Sequence, residues 1–202
     1  MAAEGQVHVI DDDDAMRDSL CFLLETSGLS ARGFPSASAF LENLSTVAEG
    51  CVVTDIRMPG MSGLELVRVL RGMRPDLPVV VMTGHGDIPM AVEAMKSGVV
   101  DFLEKPFAED AMIGAVRRAL DGARSPMRPA VDNGPVLARM ETLAPRERQV
   151  MDGLVAGKPN KVIAFDLGIS VRTVEVYRAN VMTKMQAASL SELVRMVLLA
   201  GG

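Results

Sequence analysis

The stretch "GCVVTD", residues Gly50–Asp55, decides the fold. It is a continuous apolar run that closes on a carboxylate. "LPVVVMTG" (77–84) repeats the pattern and closes on a threonine. Runs that are apolar at both parities suit strands covered on both faces, at the centre of a parallel sheet. Working outward, "QVHVI" (6–10), the weaker "SARGF" (30–34) and "VVDFLEKP" (99–106) supply three more strands. Helical segments alternate with them. "DAMRDSLCFLLETSG" (14–28) puts Met16, Leu20, Leu23 and Leu24 on one face and stops at Gly28. "SASAFLENL" (36–44), "GLELVRVLRGM" (63–73), "IPMAVEAMKSG" (88–98) and "AEDAMIGAVRRALDGA" (108–123) follow. Five strands alternating with five helices predict an α/β, doubly wound (βα)5 parallel sheet with right-handed crossovers.

The pattern breaks at "SPMRPAVDNGP" (125–135), whose prolines, glycine and polar residues read as a linker. Beyond it the chain turns to helix after helix: "PRERQVMDGLVAG" (145–157), "NKVIAFDLG" (160–168), "SVRTVEVYRANVMTKM" (170–185) and "SLSELVRMVLLAGG" (189–202). The reading is a domain over 1–124, a linker over 125–137 and an all-α domain over 138–202. A short helix, the turn "GIS" and a longer helix capped by Ser170 form a helix-turn-helix pattern.

Charge divides along the same line. Through Leu137 the chain holds 12 Lys/Arg against 20 Asp/Glu, and the remaining residues hold 9 against 6. The first part is therefore acidic, at −8, and the second basic, at +3, which together give the net −5. A basic helical domain is a candidate for a polyanion. With 202 residues, 49% hydrophobic and 23% charged, the composition is that of two globular domains. Cys21 and Cys51 are too few for a disulfide framework and read as buried thiols of a reducing compartment. No signal pattern and no apolar run of membrane length appear, so a cytoplasmic protein without a membrane partner is expected.

Polar groups gather at the ends of the strands. The first ends in Asp11 and Asp12, the third in Asp55, the fourth in Thr83, and the fifth is followed by Lys105. In a doubly wound sheet these ends converge on one crevice. Several carboxylates there need a counter-ion, and a hard oxygen-liganded cation, Mg²⁺, suits them. A carboxylate, Mg²⁺, a hydroxyl and a lysine make a site for receiving a phosphoryl group. Of the run Asp11–Asp14, the last two read as helix starters, Asp14 as the N-cap and Asp13 beside it at the positive helix end. His8 reads as a structural surface or sheet residue. His85 lies between two glycines without a second ligand group nearby, and reads as neither catalytic nor metal-binding.

The phrases "VHVIDDDD", "VVTDIRMPGMSG", "VVVMTGHGD" and "DFLEKPF" resemble the receiver domain of two-component response regulators, and "LAPRERQVMDGLVAGKPNKVIAFDLGISVRTVEVYRANVMTKM" resembles the LuxR-type helix-turn-helix of the FixJ/NarL family. The resemblance implies that Asp55 is the phospho-acceptor. It implies Mg²⁺ (or Mn²⁺) held by Asp11, Asp12, Asp55 and the backbone carbonyl of Arg57, with Asp12 nearer the metal. Thr83 is then the switch hydroxyl, Lys105 the phosphoryl-binding lysine before a Pro106 bond that the family usually keeps cis, and Phe102 the aromatic switch residue.

The helix 171–185 is expected to be the recognition helix. Val174, Tyr177, Val181 and Met185 face inward by spacing. Glu175, Val176 and Ala179 point to a major groove, and Arg172, Thr173, Arg178 and Lys184, with Asn160 and Lys161, reach phosphates. Ala144 stands where the class carries a Thr or Ser helix cap. The terminal helix, through Leu190, Leu193, Val194, Val197 and Leu198, packs on its own domain and pairs with a second copy. The implied partners are a sensor histidine kinase (FixL-like), promoter DNA, RNA polymerase and a second copy in a phosphorylation-dependent homodimer, the whole acting as a transcriptional activator. Enzymatic activity beyond a slow autodephosphorylation is not expected. The rival reading is an aspartyl-phosphate-forming phosphatase of haloacid-dehalogenase type using Asp11 and Asp13, whose further motif residues are missing here.

Overall fold

The computed structural model describes residues 5–47, 49–84, 88–124 and 133–200. Described residues of Met1–His85 and Ser97–Arg128 form one compact unit, and those of Gly86–Lys96 and Pro129–Gly202 another. The expectation for His85 and most of the linker stretch, 125–132, lies outside the described residues.

The first unit is built on five parallel strands, β1 (Gln6–Ile10), β2 (Ala31–Phe34), β3 (Gly50–Asp55), β4 (Val79–Thr83) and β5 (Asp101–Glu104), in the order β2-β1-β3-β4-β5. This is the doubly wound sheet that the alternation predicts. The β3 strand is buried at all six positions, as expected of a central strand. One face packs Val7, Val9, Val53, Val80 and Met82 against Leu20 and Leu24 of α1 (Asp14–Thr26) and Met112, Ala115, Val116 and Ala119 of α5 (Glu109–Arg124). The spacing of these helical residues, three and four apart, forms the apolar stripe of each helix. His8 points to the other face and is fully buried between Phe34 and Phe40, ring centroids 6.2 and 5.7 Å away. It is a core residue of the sheet, not a surface one: strand parity carried it under α2 (Ala37–Glu42).

Local chemistry sets the helix starts. Ser36 caps α2 by accepting from the N–H of Ala39. Ser62 and Glu65 form a reciprocal capping box at α3 (Gly63–Met73). At α1 the cap is Asp13, whose carboxylate accepts from the N–H of Met16 at 3.0 Å, while Asp14 is the first helical residue. The expected cap thus moves back by one residue, because Asp13 keeps the extended backbone (φ −81°, ψ 111°) that a cap requires. Cys51 is buried, whereas Cys21 is only half-buried.

In the second unit lie α4 (Ile88–Lys96), α6 (Gly134–Glu141), α7 (Pro145–Val155), α8 (Asn160–Leu167), α9 (Val171–Met185) and α10 (Leu190–Ala200). Helix α6 starts inside the stretch read as linker, its Pro135 sitting in the first turn where a missing N–H does no harm. Val150, Met151, Leu154, Ile163, Ala164, Val174, Val181, Met185, Leu193 and Val194 make the core that α7 to α10 share. Tyr177, Val197 and Leu198 are only partly buried. Gly168 ends α8 with φ +66°, a left-handed turn that lets the chain reverse into α9, which Ser170 caps through the N–H of Thr173. Among the described residues no helix is long and apolar enough to cross a membrane.

Candidate phospho-acceptor site and nucleic-acid interface

The strand ends of the first unit bring Asp11, Asp55, Thr83 and Lys105 to one rim. Parallel register aligns Asp55 with Met82 and Thr83 with Glu104. The N–H of Lys105 donates to the carbonyl of Thr83 at 2.7 Å, which fixes the start of the chain after β5 against the end of β4. The following Lys105–Pro106 bond is cis. From there Lys105 reaches back, its Nζ 2.7 Å from Asp55 Oδ1 and 3.1 Å from Asp11 Oδ2. One ammonium therefore serves two carboxylates that are themselves buried.

The other acceptor atoms are also held. The N–H of Arg57 donates to Asp55 Oδ2 at 2.7 Å, and the N–H of Asp13 to Asp11 Oδ1 at 3.0 Å. Gly63 opens α3 beside the same strand end. A Cβ there would lie 2.1 Å from the Asp55 carbonyl oxygen, so only glycine lets α3 start so close to Asp55.

Burial pushes the Asp55 carboxyl above its ordinary value. The hydrogen bond and charge of Lys105 and the N–H of Arg57 oppose this without reversing it, and the charge of Asp11 adds to the rise. For Lys105, burial works against the charged form, but the hydrogen bonds and fields of Asp55 and Asp11 outweigh it, and its pKa is raised. The site holds a cationic lysine against a basic, half-screened carboxylate, an arrangement suited to nucleophilic attack on an anionic group.

Thr83 is buried at the rim and its Oγ1 donates to the carbonyl of Gly84 at 3.3 Å. Phe102, on β5, is buried as well. Asp12 stands apart: it is exposed and outside the Asp11–Asp55–Lys105 group, whereas the family resemblance implied that it lies nearer a metal than Asp11. Chain alternation at the strand end turns one aspartate inward and its neighbour out. Among the described residues no group of three or more His, Cys, Asp or Glu side chains is gathered closely enough to hold a metal ion. The donor chemistry nevertheless fits Mg²⁺. Asp11 and Asp55 already converge on one cationic nitrogen, and Mg²⁺ needs only one or two carboxylates because it retains waters. Asp13, the second carboxylate of the phosphatase reading, is engaged as the cap of α1.

In the second unit α9 displays Arg172, Glu175, Val176 and Ala179, all exposed, with Arg178 partly covered. Lys161 is exposed near the start of α8, and Asn160 is partly buried there. Thr173 shares a hydrogen bond with Ser170 at 2.8 Å, so its hydroxyl belongs to the helix cap.

Lys184 differs from its expected role. Its Nζ lies 2.6 Å from Oε2 of the buried Glu147 and 3.4 Å from the carbonyl of Thr142. It is a clamp between α9 and the start of α7, with its charge matched inside the domain. Glu147 also accepts from the N–H of Ala144 at 2.8 Å. It supplies the half of the capping box that survives the missing hydroxyl at Ala144. The ion pair with Lys184, then the Ala144 N–H, hold the Glu147 carboxyl below its ordinary value. Neither Glu147 nor Arg17, which binds the carbonyl of Asp11, stood out in the sequence. Spacing offered a signal for Arg17, three residues after Asp14 on α1, and for Glu147, three after a helix-start position.

Comparison with known proteins matches residues 7–117 to the response regulator receiver domain and residues 141–197 to the luxR family of bacterial regulatory proteins. The chain is 60% identical over 195 residues to the transcriptional regulatory protein FixJ of Azorhizobium caulinodans, covering 96% of this chain and 92% of that one. It is 52% identical over 201 residues to FixJ of Bradyrhizobium diazoefficiens, covering 100% and 98%. Among solved structures, full-length FixJ from B. japonicum aligns with a TM-score of 0.60 at 52% identity, over 99% of this chain and 98% of that one.

Proposed function

We propose how this chain, which belongs to the response-regulator family and is a FixJ-like two-component transcriptional regulator with a receiver and a LuxR-type DNA-binding domain, carries its signal. Asp55 receives a phosphoryl group from a phosphohistidine of a FixL-like sensor kinase. An Asp55 carboxylate oxygen attacks phosphorus, the bond from phosphorus to the histidine nitrogen breaks, and the electron pair leaves with the imidazole. The product is an acyl phosphate on Asp55. The observation that carries this reading is the convergence of Asp55 and Asp11 on Lys105 at 2.7 and 3.1 Å.

Lys105 pairs with a phosphoryl oxygen once the Asp55 charge is transferred. Thr83 turns its hydroxyl from the Gly84 carbonyl to the phosphoryl group, and Phe102 repacks behind it. Mg²⁺ (or Mn²⁺), held by Asp11, Asp12, Asp55 and the carbonyl of Arg57, would neutralise charge on the phosphoryl oxygens. The phosphorylated form dimerises and places two copies of α9 on promoter half-sites, with Glu175, Val176 and Ala179 toward bases and Arg172, Arg178, Lys161 and Asn160 toward phosphates. RNA polymerase is then recruited and transcription activated. The acyl phosphate hydrolyses slowly.

The test is incubation with acetyl phosphate and Mg²⁺ followed by mass spectrometry. Wild type gains one phosphoryl group and Asp55→Asn gains none; equal uptake by the two would remove Asp55 from its role.

A further inference from the structure

We infer that Arg17 is a positioning residue for the metal-binding end of the acidic run, an inference that rests on the Mg²⁺ reading above. Arg17 lies on the first turn of α1 and folds back over the loop that precedes it. Its Nη1 donates to the backbone carbonyl of Asp11 at 2.9 Å, and its Nη2 pairs with Asp14 Oδ1 at 2.5 Å. The two halves of this fork differ in weight. Asp14 is 83% exposed, and a solvated i,i+3 pair contributes little. The Arg17 side chain is only 15% exposed, so its bond to the Asp11 carbonyl is a charge-assisted contact in a partly dry place.

That bond completes the restraint of Asp11. Its N–H donates to Phe34, its Oδ1 accepts from Asp13, its Oδ2 accepts from Lys105, and its carbonyl accepts from Arg17. Asp12 is joined directly to that carbonyl and makes no such contacts of its own among the hydrogen bonds described. The direction in which Asp12 leaves the strand is therefore set through the peptide that Arg17 grips. A guanidinium fork can hold both ends of the Asp11–Asp14 turn at once, which a point charge cannot.

Strand β2 makes room for this arm. Gly33 faces the Arg17 stem, and a Cβ on Gly33 would stand 3.0 Å from Arg17 Cγ and 3.1 Å from Cδ. A side chain at 33 would press on the stem and shift the guanidinium without altering any charge. Partners that orient a metal ligand are worth ~10- to 100-fold in metal affinity.

Charge and geometry predict opposite signs here. Removing a cation beside a metal site strengthens cation binding if Coulomb repulsion alone decides. Removing a positioning group weakens it. The experiment is Mg²⁺ titration of the full chain by calorimetry, with urea unfolding in the absence of metal run on each variant. Arg17→Ala is expected to weaken Mg²⁺ binding ~10-fold, Arg17→Lys to fall between it and wild type, and Gly33→Val to weaken binding while every charge stays.

Equal or tighter binding by Arg17→Ala overturns the inference. So does wild-type affinity in Gly33→Val, which decides the matter by itself if Arg17→Ala is unfolded. If wild type takes up no Mg²⁺, the metal reading fails and the inference with it.

Discussion

Replacing Lys105 by Met tests the electrostatic centre of the molecule. The Lys105 ammonium lies 2.7 Å from Asp55 and 3.1 Å from Asp11, and the Asp11 side chain is 2% exposed. Methionine keeps much of the stem and removes the charge, so two buried carboxylates face each other uncompensated. Removing one partner of a buried pair costs about 3–5 kcal/mol. The Lys105 side chain is 25% exposed, and solvent screening trims the expected loss to about 2–3 kcal/mol.

The pH dependence follows from the sign of the shift. Asp55 already has a raised carboxyl pKa in the folded chain, and losing Lys105 removes the main influence that opposes the rise. A group with a raised folded pKa favours its protonated form in the fold. The penalty is therefore largest at neutral pH and shrinks as pH falls through the raised folded pKa of Asp55 and that carboxylate protonates. The assay is urea unfolding of the full chain followed by far-ultraviolet circular dichroism, fitted with two transitions because two units need not unfold together. In the Lys105→Met background, Asp55→Asn recovers much of the loss, a coupling that a double-mutant cycle measures. An unchanged midpoint at pH 7, or a loss equally large at pH 4, would refute the reasoning.

Three further outcomes are expected. In DNA binding by the full chain to a labelled duplex, Arg172→Ala lowers the slope of log K against log salt by about 1, whereas Lys184→Met leaves the slope unchanged because Glu147 already neutralises that lysine. Fluorescence anisotropy across a salt series reads both. Ala144→Ser restores a hydroxyl cap at α7, where the backbone already has cap geometry (φ −63°, ψ 156°), and raises stability by about 1 kcal/mol in urea unfolding. Burial pushes the Cys51 thiol up to about 12, so at pH 8 iodoacetamide alkylates the half-buried Cys21 first, and mass spectrometry of the folded chain shows a single adduct at Cys21 before any at Cys51.

What could be read along the chain was what short-range physics controls. Apolar runs and their periods set strands and helices, and glycine, proline and Ser caps set their limits. The doubly wound sheet followed because strand–helix alternation leaves few ways to cover both faces of β3. Asp55, Lys105 and Thr83 were visible because each stands at a strand end, and parallel strands bring their ends to one edge. Even here local signals slipped by one residue: Asp13 and Asp14 are both good caps, and the backbone angle, which composition does not show, chose Asp13.

Pairings between distant residues were decided elsewhere. Lys105 meets Asp11 across 94 positions and Lys184 meets Glu147 across 37, so neither bond leaves a mark in any short window. A lysine on a helix surface carries the same residue name whether it faces solvent or a buried carboxylate. His8 looked like any polar residue on a strand until α2 covered it with Phe40. Asp11 and Asp12 are chemically identical neighbours, yet the strand end turns Asp11 inward, where Lys105 and Arg17 hold it, and leaves Asp12 exposed. Residue type states which interactions a side chain can make; burial and the distance to its partners select among them, and both exist only once the chain has folded.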